Sequence, residues 1–150
     1  MYKRTLTLGY GVLAYLLFFG VFNYAIMFIG NILVSPSLDS TGSSDLGLAL
    51  LIDNALLTAF ALQHSIMARP AYKRASRRTI PEPLERSTYV LVSTLMLACI
   101  VYFWQPLGGV LWQVTDPVAV GILYSLFALG WGILFLASFQ INHFDLFGLR

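Results

Sequence analysis

The sequence predicts an all-α membrane protein whose four transmembrane helices form a bundle. Hydrophobic residues make up 58% of the 150 residues, and charged residues only 11%. Soluble domains carry about 25% charged residues, so this composition excludes a soluble globular protein. The apolar residues are gathered into long continuous runs, and such runs predict helices because a helix satisfies its own backbone hydrogen bonds within lipid.

Four apolar stretches provide the predicted spans. A helix needs about 20 residues to cross the hydrocarbon core of a bilayer, and each stretch reaches or approaches that length. They leave no room for a separate soluble domain, so residues 1–150 are predicted to form a single membrane domain. The stretches are Leu8–Val34, Gly47–Met67, Ser87–Trp104 and Pro117–Ile141.

Positive charges indicate the orientation of the spans. Lys3 and Arg4 precede the first span and Arg150 follows the fourth, whereas the first and third connections contain no Lys or Arg. Because cytoplasmic loops are enriched in these residues, both termini and the second connection are predicted to be cytoplasmic. The remaining cations all lie in the second connection: Arg69, Lys73, Arg74, Arg77, Arg78 and Arg86.

The second connection is predicted to contain a short interfacial helix. Pro70 is suited to the first turn of a helix, and Pro81 and Pro83 end it. Lys73, Arg74, Arg77 and Arg78 recur on one helical face, which is typical of a helix lying on lipid headgroups. The formal net charge of +2 hides this asymmetry between the connections, and the basic patch is explained by topology and anionic lipid. The bilayer is therefore the predicted partner, and no nucleic-acid partner is predicted.

A few polar residues lie inside the predicted spans. Asn54 and Thr58 share a polar stripe of the second span, and we interpret them as contacts between helices. Asp53 lies about two turns from the membrane surface, and we interpret it as close enough to the interface to stay hydrated. Cys99 is the only cysteine, which excludes an intramolecular disulfide, and it is interpreted as a packing residue.

The only two histidines lie in polar clusters at the ends of the second and fourth spans, Gln63-His64-Ser65 and Asn142-His143-Phe144-Asp145. The predicted topology places both clusters on the cytoplasmic side. Histidine can act as an acid or a base near neutral pH, so His64 and His143 are the candidate catalytic residues. The alternative is that each histidine only caps a helix or extends to the interface. The candidate binding residues around them are Gln63, Arg69, Glu85, Arg86, Asn142 and Asp145.

A metal site is not predicted at these clusters. Zinc sites use three or four protein ligands, and two histidines with one aspartate are too few. Two histidines from different helices can ligate haem axially, but His64 and His143 lie at helix ends rather than deep in the bundle. Haem binding therefore stays a secondary alternative.

Three separated segments resemble the membrane-bound methanethiol S-methyltransferases, which are related to the NnrU proteins of denitrifying bacteria and distantly to isoprenylcysteine carboxyl methyltransferases. The segments are Gln63–Pro70, Pro81–Tyr89 and Asn142–Arg150. The resemblance implies a multi-pass protein of the bacterial inner membrane that transfers a methyl group from S-adenosylmethionine to methanethiol, a small apolar thiol, giving dimethyl sulfide. It also leaves open a non-catalytic NnrU-type protein that handles haem or another small molecule, or a membrane segment without a site.

The resemblance also implies that this chain is the N-terminal portion of a longer enzyme. Relatives continue with further membrane helices and an Arg-His-Pro motif with downstream glutamates that bind the methyl donor, and no Arg-His-Pro occurs here. S-adenosylmethionine is therefore expected to bind mainly outside these 150 residues, and the chain alone is expected to be inactive. Glu85 or Asp145 is expected to orient the histidines. Arg69 and Arg86 would hold polar groups of the donor or anchor helices at the headgroups.

Overall fold

The computed structural model describes residues 2–42, 45–110 and 112–140, with side chains described from Thr5 onward. This part of the chain is all helical and contains no strand, which confirms the all-α class. Four of its five helices are long and apolar enough to cross a membrane, which confirms the four predicted spans. The helices are α1 (Tyr2–Ile29), α2 (Leu46–Ala68), α3 (Pro70–Ser76), α4 (Glu82–Phe103) and α5 (Pro117–Gln140).

The first helix ends earlier than the apolar stretch that contains it. The stretch continues to Val34, but α1 ends at Ile29. Asn31 and Leu33 follow with φ of 52° and 60°, a left-handed conformation that an α-helix of L-residues does not continue through. Hydrophobicity therefore predicts where the chain stays in an apolar environment, and the backbone decides where the helix stops.

The limits of α2 and α3 follow from local capping chemistry. The Asp45 carboxylate accepts a hydrogen bond from the Leu48 backbone N–H at 3.1 Å, which satisfies one free donor of the first turn of α2. Arg69 takes extended backbone angles before Pro70, as residues before proline do, and this ends α2. Pro70 then starts α3, so a short helix is present in the second connection. It is shorter than expected: α3 ends at Ser76, so Arg77 and Arg78 lie beyond it, and Pro83 belongs to the first turn of α4.

The fourth helix begins before the apolar stretch does. The sequence indicates a span from Ser87, but α4 starts at Glu82 and carries Glu82 and Glu85 in its first turn. Carboxylates near the N-terminus of a helix interact favourably with the helix dipole. Pro83 is also tolerated there because the first turn needs no backbone donor at that position. Glu82 and Glu85 thus belong to the N-terminal end of α4, outside the apolar stretch.

The central helix of the bundle is α4, which packs against α1 and against α2. The Tyr10 and Thr88 hydroxyls are 3.2 Å apart near the N-terminal ends of α1 and α4. The Phe28 and Trp104 rings meet edge-on at 6.3 Å near the other ends, so these two helices run parallel. Small side chains allow helices to approach closely in a membrane. Buried small residues of α1, α2 and α4 include Ala14, Ala25, Ala49 and Ser87.

The last described helix, α5, lies at the side of the bundle. Its contacts to α1 are aromatic: the Phe22 ring meets Trp131 and Phe135 edge-on at 5.4 Å and 5.5 Å. The Tyr124 hydroxyl also donates to the Gly30 carbonyl at 3.4 Å. No residue of α5 is buried within the described part of the chain. An apolar helix exposed in this way is suited to lipid or to other protein segments.

The polar residues of α2 differ in their surroundings. Asp53 is only 4% exposed, so the interpretation that it stays hydrated is wrong. Its Oδ1 accepts a hydrogen bond from the Gln105 backbone N–H at 2.9 Å. Asn54 donates to the Leu50 carbonyl of its own helix at 2.8 Å, and both Asn54 and Thr58 are exposed. Asp53, rather than these two residues, makes a polar contact to the segment that follows α4.

Candidate functional site

The imidazole of His64 lies between α2 and α4, with both of its ring nitrogens near hydroxyl groups of α4. Its Nε2 is 2.8 Å from the Tyr89 hydroxyl oxygen, and its Nδ1 is 3.4 Å from Ser93 Oγ. Tyr89 and Ser93 are four residues apart and therefore share one helical face. One turn of α4 thus provides a partner for each nitrogen, and these partners fix the orientation of the ring.

Aromatic rings enclose the imidazole on two sides. Phe60, one turn earlier on α2, stacks on His64 with ring centroids 5.5 Å apart and an interplanar angle of 23°. The Tyr89 ring is tilted by 45° at a centroid distance of 5.1 Å. His64 is nevertheless exposed, so the site is open on its remaining side.

Gln63 supports the same α4 hydroxyl. Its side-chain amide donates to Ser93 Oγ at 3.3 Å and lies 3.0 Å from Met67 Sδ. Its carbonyl oxygen Oε1 is buried without a hydrogen-bond partner among the described residues. Adjacent residues of α2 therefore both reach Ser93. We call Phe60, Gln63, His64, Tyr89 and Ser93 the His64 cluster.

Glu85 pairs with two cations, Lys73 of α3 and Arg77, which directly follows α3. Its carboxylate is 3.6 Å from Lys73 Nζ and 3.7 Å from Arg77 Nε, and Arg77 also pairs with Glu82 at 3.2 Å. The Glu85 side chain is 16% exposed. These ion pairs tie α3 to the first turn of α4. The structure therefore places Glu85 in the contact between α3 and α4, one turn before Tyr89.

The two predicted arginines lie at the same end of the bundle as His64. Arg69 connects α2 to α3: its backbone N–H donates to the Ile66 carbonyl, and its carbonyl accepts from Lys73, both at 3.1 Å. The side chains of Arg69 and Arg86 are exposed. The structure thus brings Gln63 into the cluster with His64 and leaves both arginines at the surface.

The remaining predicted site residues, Asn142, His143 and Asp145, lie outside the described residues. Among the residues that are described, no group of three or more His, Cys, Asp or Glu side chains is arranged to hold a metal ion. The chemistry available at the described site is therefore that of an imidazole with two hydroxyl partners.

Tyr89, Ser93 and Phe60 were not predicted from the sequence as site residues. Tyr89 and Ser93 carried a usable signal: two hydroxyl side chains, four residues apart, early in a span that pairs antiparallel with α2. Their proximity to His64 depends on how α2 packs on α4, which periodicity alone does not give. Phe60 carried no signal, because an aromatic residue in a membrane span is ordinarily a packing residue.

An imidazole held in this way can act as a proton acceptor. Histidine is the commonest general base in enzymes, and it serves best when another group fixes its tautomer and orientation. Tyr89 and Ser93 hold the orientation of the ring here. The exposed side of the cluster leaves room for a small substrate.

Comparison with known proteins finds methanethiol S-methyltransferases among the relatives of this chain. A methanethiol S-methyltransferase of Crocosphaera subtropica is 52% identical over 148 residues, which are 99% of this chain and 58% of the relative. The methanethiol S-methyltransferase of Mycobacterium tuberculosis is 42% identical over 148 residues, covering 99% of this chain and 61% of the relative. A more distant match, nurim of Xenopus laevis, is 34% identical over 108 residues, covering 66% of this chain and 36% of that protein.

The chain spans about three fifths of the length of these methyltransferases. No family model matches the chain, and no solved structure matches it.

Proposed function

We propose that this chain, which belongs to the methanethiol S-methyltransferase family, forms the thiol-binding side of a site that methylates methanethiol to dimethyl sulfide. One observation carries the proposal: the similarity to a protein of that name, at 52% identity, extends over 148 of the 150 residues, so the matched region spans the positions of His64 and Tyr89. The His64 cluster supports the proposal because the imidazole of His64 on α2, held by hydroxyl groups of α4, can accept the proton of a thiol.

The reaction makes two demands on the protein. A small thiol is mostly protonated near neutral pH, so a base that removes its proton raises the concentration of the reactive thiolate. The thiolate sulfur must also be held in line with the methyl carbon, because fixed orientation supplies much of the acceleration in such a displacement. His64 meets the first demand as the final proton acceptor. The rings of Phe60 and Tyr89 meet part of the second by limiting where a small apolar thiol can lie.

The methyl donor of the proposed reaction is S-adenosylmethionine, which supplies an electrophilic methyl group on a sulfonium. The faces of Phe60 and Tyr89 fit a sulfonium, since cations are attracted to aromatic faces. The exposed guanidinium groups of Arg69 and Arg86 fit a carboxylate. Among the described residues, these aromatic faces and guanidinium groups are the proposed contacts to the methyl donor. Because the relatives are considerably longer, we propose that the donor binds mainly to residues beyond these 150, and that His143, Asn142 and Asp145 complete the thiol side.

The proposed location is the inner membrane of a bacterium, with the His64 cluster and α3 at the cytoplasmic surface. Four apolar helices support a multi-pass protein, and the distribution of Lys and Arg supports the orientation. Arg74 and Arg78 of the second connection are exposed and suit contact with anionic headgroups. A small apolar thiol would reach the open side of His64 from the bilayer.

The proposal is tested by assaying two purified proteins: a full-length family member and the 150-residue chain. Each is incubated with methanethiol and radiolabelled S-adenosylmethionine, and dimethyl sulfide is measured by gas chromatography. We expect product from the full-length protein and none from the chain alone. A full-length protein that makes no dimethyl sulfide would contradict the proposed reaction. A haem absorbance band in that protein would favour the NnrU-type alternative instead.

A further inference from the structure

We propose that the Tyr89 hydroxyl is the group that takes the proton from the thiol, while its own proton passes to Nε2 of His64. The inference rests on the proposed function and adds a catalytic residue to it. It follows from the position of the two ring nitrogens, each of which faces a hydroxyl of α4. A thiol therefore cannot reach a free imidazole lone pair without displacing one of these hydroxyls.

The proposal assigns the ring proton of His64 to Nδ1. Ser93 Oγ lies 3.4 Å from Nδ1 and accepts a hydrogen bond from the Gln63 amide at 3.3 Å. A hydroxyl oxygen has two acceptor lone pairs, so Ser93 can accept from an Nδ1 proton as well. In this tautomer Nε2 is unprotonated.

With Nε2 unprotonated, the Tyr89 hydroxyl is the donor in the 2.8 Å hydrogen bond between them. A hydroxyl has two acceptor lone pairs besides its hydrogen. The Tyr89 oxygen can therefore accept a hydrogen bond from a thiol while it donates to His64. Phe60 covers one face of the imidazole, so the half-buried Tyr89 hydroxyl is the polar atom through which a thiol proton reaches the ring.

The relay transfers two protons. The S–H bond of the thiol breaks as an O–H bond forms on Tyr89. The original Tyr89 O–H bond breaks as an N–H bond forms at Nε2 of His64. His64 becomes an imidazolium, which Ser93 stabilises through Nδ1. The thiolate sulfur attacks the methyl carbon of a sulfonium donor, a new C–S bond forms, and the electron pair of the broken C–S bond remains on the donor sulfur.

A purely structural role is the competing explanation, because a hydrogen bond between Tyr89 and His64 also joins α2 to α4. The two explanations differ in their pH dependence. A structural contact affects activity equally at every pH. A proton relay matters most where the thiol is protonated and becomes dispensable once solvent has ionised the thiol.

The activity test uses a full-length family member that carries His, Tyr and Ser at the positions of His64, Tyr89 and Ser93. Tyr89→Phe keeps the ring against His64 and removes only the hydroxyl. We expect kcat to fall about 100-fold near neutral pH with little change in KM for methanethiol, and the deficit to shrink as pH rises. Tyr102→Phe is the matched control, since Tyr102 is on the same helix, 81% exposed, and its variant should behave as the unaltered enzyme.

The two proposals fail in different ways in this assay. If the unaltered enzyme methylates methanethiol but Tyr89→Phe has the same kcat, or loses activity equally at every pH, the relay is wrong and the methyltransferase proposal stands. If the unaltered enzyme does not methylate methanethiol, the proposed function itself is wrong.

If Tyr89→Phe does not accumulate, Ser93→Ala replaces it. We expect a smaller loss of kcat with the same recovery at high pH, and restoration of kcat by Ser93→Thr. A loss that Ser93→Thr does not restore, or that is the same at every pH, would overturn the relay.

A second readout needs neither methyl donor nor turnover. The 150-residue chain has only two histidines, so ¹⁵N NMR of the histidine-labelled protein gives two sets of ring signals, and His64→Gln assigns them. We expect Nδ1 of His64 to carry the proton and Nε2 to be unprotonated, with mixed tautomers in Tyr89→Phe. A protonated Nε2 in the unaltered chain would overturn the relay.

Discussion

The carboxylate of Asp53 on α2 accepts a hydrogen bond at 2.9 Å from the backbone N–H of Gln105, two residues after the end of α4. This contact lies at the end of the bundle away from His64. The hydrogen bond between His64 and Tyr89 joins α2 to α4 near the other end. Polar contacts near both ends therefore hold α2 in register with α4, and the geometry of the His64 cluster depends on that register.

Removing the Asp53 carboxylate should destabilise the bundle. Asp53→Ala leaves the Gln105 N–H without its acceptor in a largely buried position, which costs about 1–3 kcal/mol. Asp53→Asn keeps an acceptor oxygen and should cost less. The measurement is the free energy of unfolding of the detergent-solubilised chain in denaturant. Asn54→Ala is the control, because Asn54 is exposed and bonds only to its own helix, and it should stay within about 0.5 kcal/mol. Equal stability of Asp53→Ala and the control would contradict this role.

The close approach of two connecting loops requires glycine at position 42. A Cβ placed on Gly42 would overlap the Pro106 carbonyl oxygen, so Gly42→Ala must push the first and third connections apart. We expect a loss of about 1–3 kcal/mol, in the range of overpacked sites. Gly20→Ala is the matched control: nothing lies within 4 Å of its added Cβ, and alanine favours a helix. A Gly42→Ala variant as stable as Gly20→Ala would contradict the contact.

The proposed orientation can be measured with single cysteines. Replacing Cys99 by serine removes the native thiol, after which Thr41→Cys and Thr79→Cys place one exposed thiol in the first and the second connection. We expect a membrane-impermeant maleimide added to intact cells to label Thr41→Cys, and to label Thr79→Cys only after the membrane is opened, as the positive charges of the second connection predict. The reverse pattern would invert the topology and move the His64 cluster to the outer surface.

Hydrophobicity and charge predicted the fold class and the number of spans, because lipid imposes these on any chain of this composition. The helix ends were less predictable. Leu33 is apolar but has a left-handed backbone, so the apolar stretch outlasts α1. Glu82 and Glu85 are charged but helical, so α4 begins before its apolar stretch.

The candidate site was predictable only in part. His64 and Gln63 stood out because polar groups are costly at the end of an apolar span, and both belong to the cluster. Tyr89 was missed because its hydroxyl becomes important only when α2 packs against α4. Glu85 was expected near the histidines, but Lys73 of α3 and the adjoining Arg77 are its partners, and those contacts depend on the turn at Pro70.

His64 is the proposed proton acceptor in thiol methylation. Its role is measured most directly by the rate of dimethyl sulfide formation at neutral pH by a full-length family member carrying His64→Ala, corrected for the amount of folded protein in the membrane. We expect a loss of at least about 100-fold, in the range for a general base, while Thr58→Ala, an exposed change on the same helix, keeps full activity. A His64→Ala enzyme that turns over as fast as Thr58→Ala would contradict the role of His64 as the proton acceptor.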